Sequence, residues 1–428
     1  MDPTPRRLPA PPGLDDGVGA AVAWVAGELG DLARAYGSDD ILPSRRFRGG
    51  QRSADAALAR TDLTGYAAAR SEVLPEDARG ASGLSPYVRH GLLDLPTLWR
   101  AAADAPPPDR DKFRDELLWQ EYARHVYARL GSRTTRGLRH DIVGEPVASD
   151  PWTAGREAGM ACLETVLGEL DADGWIVNQT RMWVASHWSV RAGAAWQAGE
   201  ERLYRELVDG SRAANRLGWQ WTVGTGTGRP YGFSRQQVER RAPGLCASCP
   251  LARICPIEGW PDDPMLTAAP EEPLLRSDPD PEATAGPRVI ARASDGAEPE
   301  AVWLTAESLG DDDPALLARP DLPAVFVFDV PLLARLRLHP RRLVFLAETL
   351  GDLATRRPVE VWRGDVVSVL SDGGRAARPL AATSAPVPGW RRRAARLPVV
   401  EQHPWPWLRR PEGGRIGSFS AWRGRPRR

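Results

Sequence analysis

The pattern of apolar residues changes from helical spacing to alternating short runs near residue 261, and this change constrains the fold more than any other feature. Residues 45–260 carry apolar residues at helical spacing with few β-branched alternations, so they predict a large all-α domain. Residues 261–288 are rich in proline and acidic residues and predict a linker. Residues 289–428 alternate short apolar runs with helical segments, which is typical of a smaller, doubly wound parallel α/β domain. Residues 1–44 are an N-terminal leader and helix.

Composition narrows the class of protein. A chain of 428 residues with 42% hydrophobic residues is long enough for two or three domains with real cores. The formal net charge is zero, so bulk charge indicates no polyanionic partner. Residues 391–428 nevertheless hold eleven arginines and two acidic residues, a tail that could contact phosphate or simply be solvated. With no signal peptide and no apolar run long enough to cross a membrane, we expect a cytoplasmic protein.

The four cysteines predict a metal centre. Cys246, Cys249 and Cys255 lie within ten residues of one another, and Cys162 lies far upstream. In a reducing compartment thiolates favour metal binding over disulfides. Four thiolates suit an iron–sulfur cluster or a structural zinc ion, and the spacing alone does not choose between them. The alternative is that Cys162 is an ordinary buried residue and the trio has no shared function.

Several segments resemble, in the same order, motifs of the flavin-binding domain of the photolyase/cryptochrome family. The resemblance covers about residues 45–235. It rests on Gly80-Ala-Ser-Gly-Leu-Ser-Pro-Tyr87, Phe113-Arg-Asp-Glu-Leu-Leu-Trp-Gln-Glu-Tyr122, Gly174-Trp-Ile-Val-Asn-Gln-Thr-Arg-Met182 and the segment from Asp209 to Tyr231. It implies an FAD cofactor and an all-α fold for this domain.

The cysteines resemble the ligands of one branch of that family. Cys162 within Met-Ala-Cys-Leu and the trio Cys246, Cys249 and Cys255 resemble those of the iron–sulfur branch of bacterial photolyases. The resemblance implies a [4Fe–4S] cluster, with zinc as the second possibility.

The order of the domains departs from the family pattern. Photolyases begin with an α/β antenna domain, and residues 1–44 are too few to supply one. Residues 302–315 resemble the opening strand and loop of that domain, and residues 339–370 resemble its next helix and strand. The chain therefore resembles a circularly permuted photolyase, a rearrangement that domain termini at the surface tolerate. The alternative is an unrelated α/β module, and the sequence identifies no antenna chromophore.

The resemblance implies a set of flavin-binding residues. Arg181 and Asp209 are expected to form a salt-bridged pair beside the isoalloxazine ring, and Asn215 is expected to face its N5 atom. Ser211 stands where the family has a second acidic residue, which leaves the preferred redox state of the flavin open. The residues expected to meet the phosphates and ribitol are Ser82, Leu84 and Ser85.

A second set of residues matches positions that contact a flipped pyrimidine dimer in repair enzymes. Flat indoles would clamp the extruded bases, while a carboxyl and an amide would read their edges. Val177 and Asn178 replace paired histidines of the iron–sulfur branch, which favours cyclobutane dimers over (6-4) lesions. Arg229 is expected to contact DNA. The matching residues are Glu116, Trp119, Asn178, Met182 and Trp221.

Two tryptophans match the start of the family's electron-transfer chain. Trp219 and Trp196 are expected to pass electrons to photoexcited flavin, and the sequence does not identify a surface member. The catalytic group predicted from the sequence is Trp219, Trp196, Asn215 and Glu116.

The predicted function is light-driven, FAD-dependent repair of pyrimidine dimers, with damaged DNA as partner and no obligate protein partner. The first alternative is a cryptochrome-like blue-light photoreceptor without repair activity. The second is a light-independent iron–sulfur flavoprotein that transfers electrons.

Overall fold

The computed structural model describes residues 1–260, 265–371 and 373–424. The predicted fold class is confirmed, because a large helical unit is followed by a smaller unit built on a mainly parallel sheet. In the described part of the chain, no helix has both the length and the apolar character needed to cross a membrane.

The helical unit is assembled from helices α2 to α12. Short 3₁₀ turns cover Glu76–Ala78 and Gly131–Thr135, and a π-helical turn, Ser186–Arg191, follows α9 directly. The helices are α2 (Gln51–Ala59), α3 (Tyr66–Ala69), α4 (Ser85–Arg89), α5 (Leu95–Ala101), α6 (Pro107–Leu130), α7 (Pro151–Glu157), α8 (Ala161–Asp173), α9 (Asn178–Ala185), α10 (Trp196–Glu206), α11 (Arg212–Val223) and α12 (Arg235–Arg241).

A seven-stranded sheet is the centre of the α/β unit. Its order is β1-β7-β6-β5-β8-β9-β4, in which the five inner strands are parallel and the two outer strands are antiparallel. Among the five parallel strands, the chain forms β5 first and then adds β6 and β7 on one side of it. Strands β8 and β9 follow on the other side, as in a doubly wound fold. The strands are β1 (Arg6–Arg7), β4 (Ala291–Arg292), β5 (Ala301–Leu304), β6 (Ala324–Asp329), β7 (Val359–Gly364), β8 (Leu380–Thr383) and β9 (Val399–His403).

Five helices accompany these strands. Buried side chains fill both faces of β5, β6 and β8, which explains the mainly apolar sequences of these three strands. The helices are α15 (Pro314–Ala318), α16 (Val330–Leu336), α17 (Pro340–Ala354), α18 (Val366–Leu370) and α19 (Pro388–Ala394).

The N-terminal segment is part of the α/β unit in space. Strand β1 pairs with β7, and helix α1 (Val18–Arg34) packs along α17. Val25 and Leu29 of α1 are fully buried, and Trp24 contacts Phe328 of β6 with ring centroids 6.0 Å apart. The leader and helix predicted at residues 1–44 are therefore packed on the sheet that lies some 300 residues later in sequence.

The predicted linker, residues 261–288, contains short elements packed on the helical unit. Strand β3 (Leu266–Ala268) pairs antiparallel with β2 (His140–Ile142). Helices α13 (Pro273–Arg276) and α14 (Pro281–Ala285) contact α6. Residues 261–264 of the linker lie outside the described residues.

The C-terminal strap, residues 404–424, crosses the helical unit over α6. Ile416 and Trp422 of its final part, which includes α20 (Phe419–Arg423), are buried against Tyr122, whose hydroxyl donates to the Ile416 carbonyl at 2.9 Å. Arg423 pairs with Asp115 at 2.6 Å. Residues 404–424 of the arginine-rich tail are thus docked on the helical unit, while Arg392, Arg396, Arg415 and Arg423 of the tail are exposed.

Candidate flavin and substrate cavity

One large cavity of about 920 Å³ lies between the helical unit and the carboxyl ends of β5 and β6. Helices α4, α6, α9 and α11 supply most of its wall, and Leu304 to Glu307 and Phe328 contribute from the α/β unit. A cavity of this size is large enough for a cofactor together with a second ligand. The predicted site residues that line it are Ser82, Leu84, Ser85, Glu116, Trp119, Asn178, Arg181, Met182, Asp209, Asn215 and Trp219.

The turn before α4 brings Ser82, Leu84 and Ser85 to the cavity wall. Leu84 is buried, and its backbone amide approaches the Ser82 hydroxyl at 3.5 Å. Ser85 begins the helix, and its hydroxyl accepts a hydrogen bond from the Trp175 indole at 2.9 Å. The turn therefore presents hydroxyl groups and helix-start amides to the cavity, a donor set that suits an anion.

Arg181 and Asp209 meet at one wall. Arg181 Nη2 lies 2.7 Å from Asp209 Oδ2, and Arg181 Nε donates to the Ile176 carbonyl at 3.0 Å. The Asp209 side chain is only 2% exposed, yet its Oδ1 has no hydrogen-bond partner among the described residues. The pair thus leaves one buried carboxylate oxygen for a ligand donor.

Asn215 is held by the buried Glu200. The Asn215 amide nitrogen donates to Glu200 Oε1 at 2.8 Å and to the Glu200 carbonyl at 2.9 Å. Glu200 also pairs with Arg212 at 3.0 Å and with Arg216 at 3.5 Å. Because both amide hydrogens are engaged, Asn215 presents its oxygen, a hydrogen-bond acceptor, to the cavity.

The residues predicted to contact a lesion lie nearer the opening. Asn178 is exposed, and Trp119 and Met182 are half-buried. Glu116 pairs with Lys112 at 2.7 Å and with Arg70 at 3.4 Å, so its carboxylate is held between two cations. These four side chains, from α6 and α9, line the cavity, and none of them is buried.

Three predicted residues do not line the cavity. Trp221 lies on α11 outside it, with 43% of its surface exposed and its ring 5.7 Å from that of Tyr231. Arg229 is exposed in the loop after α11. Trp196 is buried at the start of α10.

The ring contacts of Trp219 run toward Trp152. Their centroids are 6.4 Å apart, and Trp152 is 5.0 Å from Trp188 in the π-helical turn. In the described part of the chain no ring contact involves Trp196. The tryptophan packed on Trp219 is therefore Trp152. The electron-transfer step between Trp196 and Trp219 stays a prediction.

Sequence reasoning missed Glu200, Arg89 and Arg342. Arg89 Nε and Arg342 Nη2 both donate to the Gly210 carbonyl, at 2.7 and 2.6 Å, next to Asp209. Arg342 comes from α17 of the α/β unit and is only 2% exposed, and its Nη1 has no partner. A buried arginine leaves no periodic signal in sequence, whereas the Glu200–Arg212 spacing gives only a weak hint of an ion pair.

The orphaned polar atoms test whether a flavin suits this cavity. In the part of the chain that the structure describes, Asp209 Oδ1, Trp219 Nε1 and Arg342 Nη1 are buried and have no hydrogen-bond partner, and all three residues line the cavity. Buried polar groups are normally hydrogen-bonded. Two donors and one acceptor on the wall fit a ligand that has both kinds of group, as FAD does.

The four cysteines line one small, apolar pocket. Cys162 on α8 meets Cys246, Cys249 and Cys255 there, among Met160, Val238, Leu251 and Ile257. All four are free thiols, and burial raises the pKa of Cys162 to about 12. Among residues 1–260, 265–371 and 373–424, no group of three or more His, Cys, Asp or Glu side chains is arranged to hold a metal ion. The donor set fits a thiolate-bound centre, but the thiols are not arranged around a single ion such as zinc.

Comparisons with known proteins cover the helical unit. Residues 113–238 match the family model described as the FAD binding domain of DNA photolyase. The deoxyribodipyrimidine photo-lyase of Thermus thermophilus is 32% identical over 183 residues, which are 41% of this chain and 42% of that protein. That of a Synechococcus species is 30% identical over 160 residues, 34% of this chain and 33% of that protein. A Synechocystis cryptochrome structure matches with a TM-score of 0.42 and 21% identity over 48% of this chain and 45% of its own.

The chain thus spans about a third to two fifths of the length of these two curated relatives. The matched segment carries the helices that line the cavity, α6, α9 and α11. The family model and the two relatives together support an FAD-binding domain of the photolyase/cryptochrome type in residues 113–238.

Proposed function

We propose that the protein is a light-driven, FAD-dependent repair enzyme for pyrimidine dimers in DNA, with cyclobutane dimers favoured over (6-4) lesions. One observation carries this proposal. The residues matched to flavin binding and four of those matched to lesion contact come from segments more than 100 residues apart and line a single cavity; the four are Glu116, Trp119, Asn178 and Met182. The names of the relatives add support.

Within this proposal the chain's own residues position two ligands. Bound reduced FAD would supply an electron on blue-light excitation. Ser82 and Ser85 hold its phosphate and ribitol region, and Arg181 with Asp209 holds the ring edge. Asn215, fixed by Glu200, accepts a hydrogen bond at the ring.

At the mouth, the chain's residues receive the flipped lesion. Trp119 and Met182 offer flat or flexible apolar surface, while Glu116 and Asn178 hydrogen-bond the edges of the bases. The buried wall excludes water from the space between the two ligands.

A photoreceptor without repair activity is the second candidate, and the position of Trp221 favours it. In this structure Trp221 stands outside the cavity, so the indole clamp on a flipped dimer has one wall, Trp119, in place. A cryptochrome-like protein would need Trp219 and the flavin but no such clamp.

Illumination of the reduced protein with dimer-containing oligothymidine separates the two candidates. Repair restores absorbance at the thymine band, and W119A should slow it at least tenfold at unchanged flavin content. W99A, which alters a half-buried tryptophan on α5 outside the cavity, is the matched control. Flavin photoreduction without recovery of thymine absorbance would refute the repair function.

We also propose that the four cysteines hold a [4Fe–4S] cluster with a structural role. A cluster of four irons and four sulfides fills more space than one ion, so thiols too dispersed for zinc can still surround it. Iron, sulfide and zinc analysis of purified protein tests this. C249A should lose iron and S248A, in the same loop, should retain it. Stoichiometric zinc without iron would contradict the proposal.

A further inference from the structure

Two exposed indoles contact consecutive residues, Tyr231 and Gly232, in the segment that follows α11. Trp260 is 61% exposed and Trp221 is 43% exposed. The Trp260 ring lies directly over the backbone of Gly232, so closely that a Cβ there would collide with it. The Trp221 ring packs on Tyr231, the preceding residue. Consecutive backbone positions thus carry one exposed indole each, and we name Trp221, Arg229 and Trp260 the indole rim.

Trp260 is anchored rather than loosely exposed. Arg191 donates to the carbonyls of Phe233, Pro256 and Gly259, so it ties the end of the cysteine loop to the segment under Trp260. Arg235 adds a backbone hydrogen bond to the Ile257 carbonyl at 2.7 Å. A rigid exposed aromatic loses little conformational entropy on binding a ligand.

The indole rim includes a residue of a helix that lines the cavity. Gly218, Trp219 and Thr222 of α11 line the cavity, and Trp221 lies between them on the same helix. Tyr231 is tied back to Thr222 by a backbone hydrogen bond of 2.7 Å. A strand whose lesion occupies the cavity would therefore have neighbouring nucleotides within reach of the rim.

The charge around the rim favours an anionic partner. Arg229, two residues before Tyr231, is exposed and pairs with no carboxylate among the described residues, whereas Glu258 near Trp260 is already paired with Arg235 at 2.9 Å. Flat indoles with unpaired arginines are the combination that binds single-stranded nucleic acid, because each base offers a face for stacking and each phosphate a charge.

We propose that the indole rim, with Trp260 as its outer member, stacks unpaired bases of DNA that flank the lesion. This rests on the proposed function only in naming DNA as the partner. The binding itself is independent of the lesion, since stacking on an indole does not require a damaged base. The cysteine loop thereby gains a direct role in holding the substrate.

Anisotropy titration of labelled, undamaged oligothymidine with the FAD-loaded full chain tests the proposal. W260A should weaken binding by about 5- to 100-fold, the range that alanine substitution gives for one stacked base. W260F should retain most of the affinity, and I254A, at another exposed apolar position of the loop, should bind as the unaltered protein does. R229Q should lessen the dependence of affinity on salt, whereas W260A should weaken binding equally at low and high salt.

Wild-type affinity in W260A would overturn the proposal, whatever the repair assay shows. If W260A bound more weakly but the unaltered protein repaired no dimers, the DNA-binding role of the indole rim would be supported. The proposed repair function would then be refuted. If W260A fails to fold, as judged by its flavin spectrum, oxidative footprinting of the unaltered protein replaces it. Bound oligothymidine should then protect Trp260 from oxidation, and equal oxidation with and without oligothymidine would refute the rim.

Discussion

The hydrogen bonds of Asn215 to the buried Glu200 determine which hydrogen-bonding group Asn215 can offer to a ligand. Glu200 takes both amide hydrogens, and it is itself balanced by Arg212 and Arg216. The remaining amide oxygen can only accept, so it favours a ligand that carries a proton at the facing atom. Ser211, which replaces an acidic residue of the family pattern, keeps a hydroxyl that caps α11 instead.

The tryptophan contacts predict a specific order of importance for photoreduction. W219F and W152F should both slow blue-light reduction of the flavin severalfold, because Trp152 is the ring in contact with Trp219. W196F serves as the matched control, since Trp196 is equally buried but has no ring contact in the described part of the chain. The photoreduction rate in the presence of an external thiol is the measurement. If W196F slowed photoreduction and W152F did not, the result would instead support the electron-transfer step from Trp196 to Trp219 predicted from sequence.

At the scale of elements, the C-terminal strap closes over two titratable groups of α6. His125 Nε2 donates to the Arg409 carbonyl at 2.7 Å and its Nδ1 accepts from the Trp422 indole at 3.2 Å, an arrangement open only to the neutral ring. Burial lowers the pKa of His125 to about 3. Glu121 accepts from the Arg409 amide at 2.9 Å, and burial raises its pKa to about 7.

The raised pKa of Glu121 predicts a loss of stability with rising pH. Its ordinary pKa is 4.5, so its contribution is fully present below pH 4.5 and is lost as pH rises through 7. The free energy of unfolding should fall by on the order of 3 kcal/mol across this window. E121Q should flatten this part of the profile in urea titrations at several pH values. The surface variant E164Q should not, and an unchanged profile in E121Q would refute the assignment.

The elements differ in how far the sequence predicts them. The apolar runs of β5 and β6 are buried on both faces and were therefore readable as strands, and the shorter apolar run of β7 is buried only in part. Strands β1 and β4 have two residues each, too few for any period, and their pairing depends on distant partners. The docking of the strap could not be predicted from sequence either, because its arginines suggested a solvated segment. Their partners on α6 and in the linker are distant in sequence.

For the molecule as a whole, the two units are joined beside the candidate flavin site. The Gly210 carbonyl accepts from Arg89 of the helical unit and Arg342 of the α/β unit. The sequence predicted both units but not this junction, since contact between Gly210 and Arg342 depends on how the units pack. Most of the flavin-binding and lesion-contacting residues that it named do line the cavity, because family motifs carry them, whereas it missed Glu200, Arg89 and Arg342.

The junction predicts coupled unfolding of the two units. R342M removes a buried charge-assisted hydrogen bond and should lower the free energy of unfolding by about 1.5–3 kcal/mol. It should also lower flavin content, because Arg342 lines the cavity beside Gly210. Calorimetry should show one transition in the unaltered protein and two in R342M. R396M, at an exposed arginine of the same unit, should match the unaltered protein, and a single unshifted transition in R342M would contradict the coupling.

The brevity of the outer strands has a consequence for self-association. Each edge of the sheet ends in a two-residue strand that includes an exposed arginine, Arg6 and Arg7 on one side and Arg292 on the other. So short and charged an edge offers another chain little backbone to extend, which protects the native protein from fibre-like stacking. Loss of β1 would expose the edge of the six-residue strand β7 to other chains. We therefore expect aggregation to begin when the N-terminal segment detaches from the sheet.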